Sequence, residues 1–163
     1  MASGTPSSVM RLNMRLRTIS AVLLFAFVLA WALPGFATLG EGPSSIETDR
    51  AHLNASERVV ANQLYSVHEM QIPSGTTIRQ YVSPGGTVFA VSWKGFSPDL
   101  RQLLGDHFDE YMAAASQVSH HGRGVHIETG DLVFESGGHM RYVVGRAFLR
   151  SKLPSGVSRD EIH

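Results

Sequence analysis

Hydrophobic positions along this chain fall into three regimes. From Ile19 to Leu33 they are continuous, with Ser20 the only polar residue. From Leu64 to Trp93 they alternate with polar ones, and from Leu100 to Ala115 they recur three or four apart. Alternation places successive side chains on opposite faces of a strand, and the longer period gathers them on one face of a helix. Residues 64–72, 76–82 and 87–93 therefore read as three strands, separated by the turn residues Pro73-Ser74-Gly75 and Ser83-Pro84-Gly85-Gly86. Phe89, Val91 and Trp93 are expected on one face of the third and most apolar strand.

A helix is predicted over 98–117. Ser97 is its expected N-cap, Pro98 sits in the first turn and Asp99 meets the positive end of the helix dipole. Its stripe of Leu100, Leu104, Phe108 and Tyr111 is the nearest cover for the Phe89, Val91 and Trp93 face. Gly105 is an interior cost of up to ~1 kcal/mol. Beyond a polar loop at 119–124, Val125–Glu128 and Leu132–Glu135 read as one strand interrupted near Gly130-Asp131. Gly137-Gly138 reads as a turn and His139–Arg150 as the last strand. The order β-β-β-α-β-β gives an α+β fold: an antiparallel sheet of about five strands with one main helix packed on one face. Upstream, 38–63 reads as a flexible lead in which Ser45 caps a short helix ending near Asn54. Residues 64–157 form the single domain, and 158–163 are a polar tail.

The continuous apolar run has a different meaning. Arg11, Arg15 and Arg17 precede it without an acid, Pro34 and Gly35 break it, and Gly35 and Ala37 are the small residues before a cut between Ala37 and Thr38. A basic start, a short apolar core and a small-x-small site describe a secretory signal peptide over 1–37. The protein is then expected to be exported, to the periplasm or beyond. The alternative is an inner-membrane anchor over 19–39, since a span needs ~20 apolar residues. That segment is the only expected contact with a membrane.

Composition narrows the function. The whole chain is neutral, with 14 basic and 14 acidic residues, and losing three arginines with 1–37 leaves a net charge of about −3. No basic surface for nucleic acid is expected. The absence of cysteine removes disulfides, thiol catalysis and thiolate metal sites.

No phosphate loop, dinucleotide fingerprint or Gly-x-Ser-x-Gly elbow is present, so no catalytic, cofactor or metal residue is assigned. What remains is a candidate ligand surface of His68, Glu69, Phe96, His126, Glu128, His139 and Arg141. His126 and Glu128 share a strand face and offer a nitrogen and an oxygen to a metal; solvated loop groups are the alternative. His68-Glu69 and His139-Met140-Arg141 lie at strand positions, where an imidazole serves either as a general base or as a half-buried partner of the next strand.

Several ordered segments carry a likeness: Tyr65-Ser66-Val67-His68-Glu69, Gly86-Thr87-Val88-Phe89-Ala90-Val91-Ser92-Trp93, Pro98-Asp99-Leu100, Leu103-Leu104-Gly105 and Ser136-Gly137-Gly138-His139-Met140-Arg141. Over about Ser45 to Val157 the chain resembles a family of small exported Gram-negative bacterial proteins known only as a domain of unknown function. It departs from that pattern at Gln80, where Glu is expected, and at Phe96, where Pro is expected. The resemblance implies export and the domain extent, and no activity. Two functions follow as expectations. One is a non-enzymatic binding or scaffolding domain with an envelope partner. The other is a small envelope hydrolase or metal-dependent protein using His68, His139 or the His120–Glu128 region.

Overall fold

A computed structural model of the chain describes residues 39–118, 124–139 and 141–163. The signal segment, the Ala37/Thr38 cut, His120 and His121 lie outside the described residues. Helix α1 (Pro43–His52) comes first, then strands β1 (Ser56–Ala61), β2 (Ser66–Gln71), β3 (Thr77–Val82) and β4 (Val88–Gly95). Helices α2 (Leu100–Leu104) and α3 (Phe108–Ala115) follow, and β5 (Gly124–Thr129), β6 (Leu132–His139) and β7 (Tyr142–Leu149) complete one sheet. All pairings are antiparallel, in the order β1-β2-β3-β4-β7-β6-β5. Two meanders thus meet where β4 pairs with β7.

The fold is α+β as expected, but the sheet has seven strands rather than five. The segment read as a lead carries α1 and β1. Gly130-Asp131 is the two-residue turn of a β5–β6 hairpin, since Thr129 pairs with Leu132. Gly137 and Gly138 do not turn the chain; they lie inside β6, and the turn falls between His139 and Tyr142.

Both helix starts also differ from expectation. Gly42 is the N-cap of α1 with Pro43 in its first turn, and Ser45 donates its hydroxyl back to the Gly42 carbonyl at 2.5 Å. Asp99, not Ser97, caps α2, its carboxylate accepting from the Arg101 and Gln102 amides at 2.9 and 3.3 Å. Gly105, with φ 47° and ψ −120°, divides the helix into α2 and α3 through a 3-10 turn. Left-handed backbone is open to Gly at little cost.

One face of the sheet, the helix face, is a sealed core. Met70, Ile78, Val91, Trp93 and Phe134 meet Leu103 and Leu104 there, all at most 3% exposed. The Trp93 ring stands 5.4 Å from Phe134, which is 4.5 Å from Tyr111. Opposite Trp93 in register is Gly145, where any Cβ would overlap the indole. Phe89 does not share this face as expected. Tyr81 pairs with Ala90 and Val82 with Val88, so Phe89 is the extra residue of a β-bulge. It turns to the opposite, open face and packs with Tyr81, Phe148, Val133 and Ile162.

The stretch read as a polar tail closes the middle of that open face. Ile162 is fully buried. Arg146 donates to the carbonyls of Arg159 and Ile162 at 2.7 and 3.2 Å, and Arg79 to that of His163 at 2.6 Å.

Candidate functional site

The pleat separates the candidates before any chemistry does. His68 and Glu69 are sequence neighbours on opposite faces. On the helix side His68 Nδ1 lies 2.6 Å from Glu57 on β1, whose other oxygen is 3.9 Å from Arg50 of α1. On the open side Glu69 accepts from Arg79 of β3 at 2.7 Å. Nearby, buried Asp49 of α1 takes amide hydrogen bonds from Gln80 at 2.8 Å and Gln102 at 2.6 Å, tying helix, sheet and α2 together. Gln80, the residue that departs from the expected Glu, is itself fully buried. An amide there donates to Asp49, where a second carboxylate would have repelled it.

The register assembles a row that no local pattern announces. Arg58, Glu69, Arg79, Ser92, Arg146, Glu135 and His126 are successive cross-strand neighbours from one sheet edge to the other, all on the open face. Outward from Ser92 an arginine and then a glutamate follow in one direction, and an arginine and a glutamate in the other, with Arg58 and His126 at the two edges. Opposite charges across strands contribute roughly 0.2–1 kcal/mol per pair. Arg146 grips Glu135 with two nitrogens at 2.6 and 2.7 Å.

His126 ends the row and is 57% exposed. Its Nδ1 lies 3.2 Å from Glu135 and its Nε2 3.3 Å from Glu128, which also faces Arg150 at 3.3 Å. The two carboxylates thus sit on opposite ring nitrogens, so this trio does not converge on one ion as the metal reading requires. Among the described residues no cluster of three His, Asp or Glu side chains could hold a metal.

Beside this end of the row the open face is bare. Gly124 pairs with Gly137, and Gly137 with Val144, so two of three neighbouring positions carry no side chain. The result is an open hollow of about 720 Å³. Tyr142 and Val144, 47% and 45% exposed, form its apolar side; His126, Glu135, Arg146, His139, Ile162 and His163 border it. Gly138 at the same end has φ 151°, and a Cβ there would collide with the Tyr142 carbonyl.

Of the candidates, the structure places His126 and His139 at the hollow, and Glu128 beside His126 but outside the lining. It sets Arg141 exposed at the β6–β7 turn, and leaves His68, Glu69 and Phe96 apart. Phe96 is 46% exposed after β4, where its carbonyl accepts from Thr76 at 3.1 Å. Sequence reasoning missed Glu135, Tyr142, Val144 and Arg146. Their strand alternation was readable, but their meeting depends on pairing between strands.

No curated protein and no solved structure matches the chain. A family model does, over residues 35–162, which takes in every described element and all of the hollow's border but His163: the chain belongs to DUF2844, a family of proteins of unknown function.

Proposed function

We propose that this chain is an exported, non-enzymatic binding domain of the cell envelope, and that its ligand enters the hollow over the Gly124–Gly137 pair. The observation that carries this reading is the hollow itself. Its volume is within the usual range of ligand sites, and it joins exposed apolar side chains to a few fixed polar groups. The use of the titratable groups favours binding over catalysis. Glu135 is committed to Arg146 and His126, and Glu128 to His126 and Arg150. A general base needs a nitrogen or oxygen free toward the substrate. Export rests on the basic, apolar and small-residue pattern of residues 1–37.

The hydrolase alternative rests on one specific feature, the 2.6 Å His68–Glu57 pair, since a carboxylate-held imidazole has the form of a general base. That pair does not line the hollow.

Hydrogen–deuterium exchange of the chain with soluble envelope material tests the proposal. Added protection is expected in peptides covering 124–126, 135–139 and 142–146, with the added material recovered unchanged. Chemical turnover that is lost in His68→Ala would establish the hydrolase instead. Intact mass of the chain recovered from the envelope checks export, with Thr38 as the expected first residue.

A further inference from the structure

We infer that the ligand of the hollow is a neutral saccharide, one ring lying against Tyr142 and its hydroxyls meeting the bordering His139 imidazole and backbone. This rests on the reading of the hollow as a binding site and adds the ligand class. Three observations point to it.

The first is charge. The acid and the guanidinium that border the hollow are already paired: Glu135 holds Arg146 at 2.6 and 2.7 Å and His126 at 3.2 Å. The remaining Arg146 nitrogen donates to two backbone carbonyls. A charged ligand would have to break a satisfied ion pair or remain uncompensated, and both are costly away from bulk water. A neutral ligand leaves the pairs intact.

The second is shape. Bare backbone at Gly124 and Gly137 lies next to the half-exposed Tyr142 and Val144. That combination admits a flat-sided ring rather than a side-chain-sized knob. The electron-rich face of an aromatic ring attracts the polarised C–H edges that a sugar ring presents.

The third is the kind of polar border. His126 and His139 are both exposed and both at the hollow. His126 already has a carboxylate on each ring nitrogen, so it is the His139 imidazole that meets a sugar hydroxyl, with an N–H to donate to its oxygen. An acyl chain would gain from Tyr142 and Val144 but would leave these groups facing hydrocarbon.

The test is an amide NMR titration of the chain as isolated from the expressing cells. Chitotriose, maltotriose and cellotriose are added in turn, with trigalacturonate and decanoate as charged and acyl comparisons. At least one neutral trisaccharide should shift the Gly124, Gly137 and Tyr142 amides saturably, and the two comparisons should not. Tyr142→Ala should weaken that binding at least tenfold while the spectrum away from the hollow stays unchanged. Val144→Ser, a milder change in the same wall, should weaken it less. If decanoate or trigalacturonate shifts these amides and no neutral sugar does, the ligand class is wrong and the site stands. If no probe shifts them but envelope material still protects 124–126 and 135–146 from exchange, the saccharide is again refuted and the site survives. If neither occurs, both fall. Unchanged affinity in Tyr142→Ala would overturn the stacking geometry.

Discussion

The two faces of the sheet are built from the same strands yet solve different problems. On the helix face, Trp93, Phe134, Leu103 and Leu104 exclude water completely, and Gly145 is small because the indole lies against it. On the open face, a row of charged and polar side chains crosses all seven strands, a chain segment covers only the middle, and glycines at one end leave a hollow. The difference teaches where change is tolerated. Tight packing makes the helix face sensitive to single atoms, whereas the open end carries side chains whose removal leaves the core intact.

Substitutions at four positions and one titration separate these roles. The largest effect belongs to the helix face. Trp93→Ala should cost ~3–5 kcal/mol in chemical denaturation, against a domain stability of ~5–15 kcal/mol. Gly145→Val should fail in the same way, because its side chain and the indole cannot share the space. A melt like that of the parent would show that the face is not sealed as described.

Ile162→Ala comes next. Its side chain is fully buried on the open face among Tyr81, Phe89 and Phe148. A loss of ~2–3 kcal/mol is expected, at the low end for such truncations because a surface segment relaxes more readily than a core strand. A loss below ~0.5 kcal/mol would mean that the segment does not close this face.

Asp49→Ala removes a buried carboxylate that accepts from Gln80 and Gln102. Urea unfolding should show a loss of ~1–3 kcal/mol, mostly from two amides left without that acceptor. Asp49→Asn retains one acceptor and should lose less.

Acid should act through Asp131 at the β5–β6 turn. Burial acts to raise its pKa, but hydrogen bonds from the Ser151 hydroxyl and amide, helped by His107 and Arg150, outweigh it and hold the carboxyl below its ordinary value. A carboxyl lowered on folding stabilises fully above its unfolded pKa and loses that contribution as pH falls through the folded one. The stability difference between parent and Asp131→Asn should therefore be constant near neutrality and shrink below about pH 4. A difference that persists unchanged to pH 2 would show that the charge is irrelevant.

How much of this was legible in the sequence depends on whether the cause was local. Strands β2, β3 and β4 announced themselves through residue types that alternate or are apolar on both sides; in the fold β2 is half-buried from Tyr65 to Glu69, β3 alternates over Thr77–Gln80, and β4 is buried from Val88 to Trp93. Strand β1 did not, because Ser-Glu-Arg-Val-Val-Ala is exposed along its whole length and has no buried face to mark it. Gly137 and Gly138 misled because they have the composition of a turn while serving a strand that needs bare backbone. The bulge that reverses Phe89 is a property of the β3–β4 pairing and leaves no mark in either strand alone. The site followed the same rule. His126, Glu128 and His139 were visible as residue types, but Glu135 and Arg146 became neighbours of His126 only through register.

The most direct test of the division between faces uses one double variant, Tyr142→Ala with Val144→Ser, in the exchange experiment with envelope material. Both side chains are nearly half exposed, so melting should stay within about 3 °C of the parent. Protection over 124–126, 135–139 and 142–146 should vanish. Protection that survives in a normally melting variant would contradict the account, because the ligand would then bind elsewhere than the hollow.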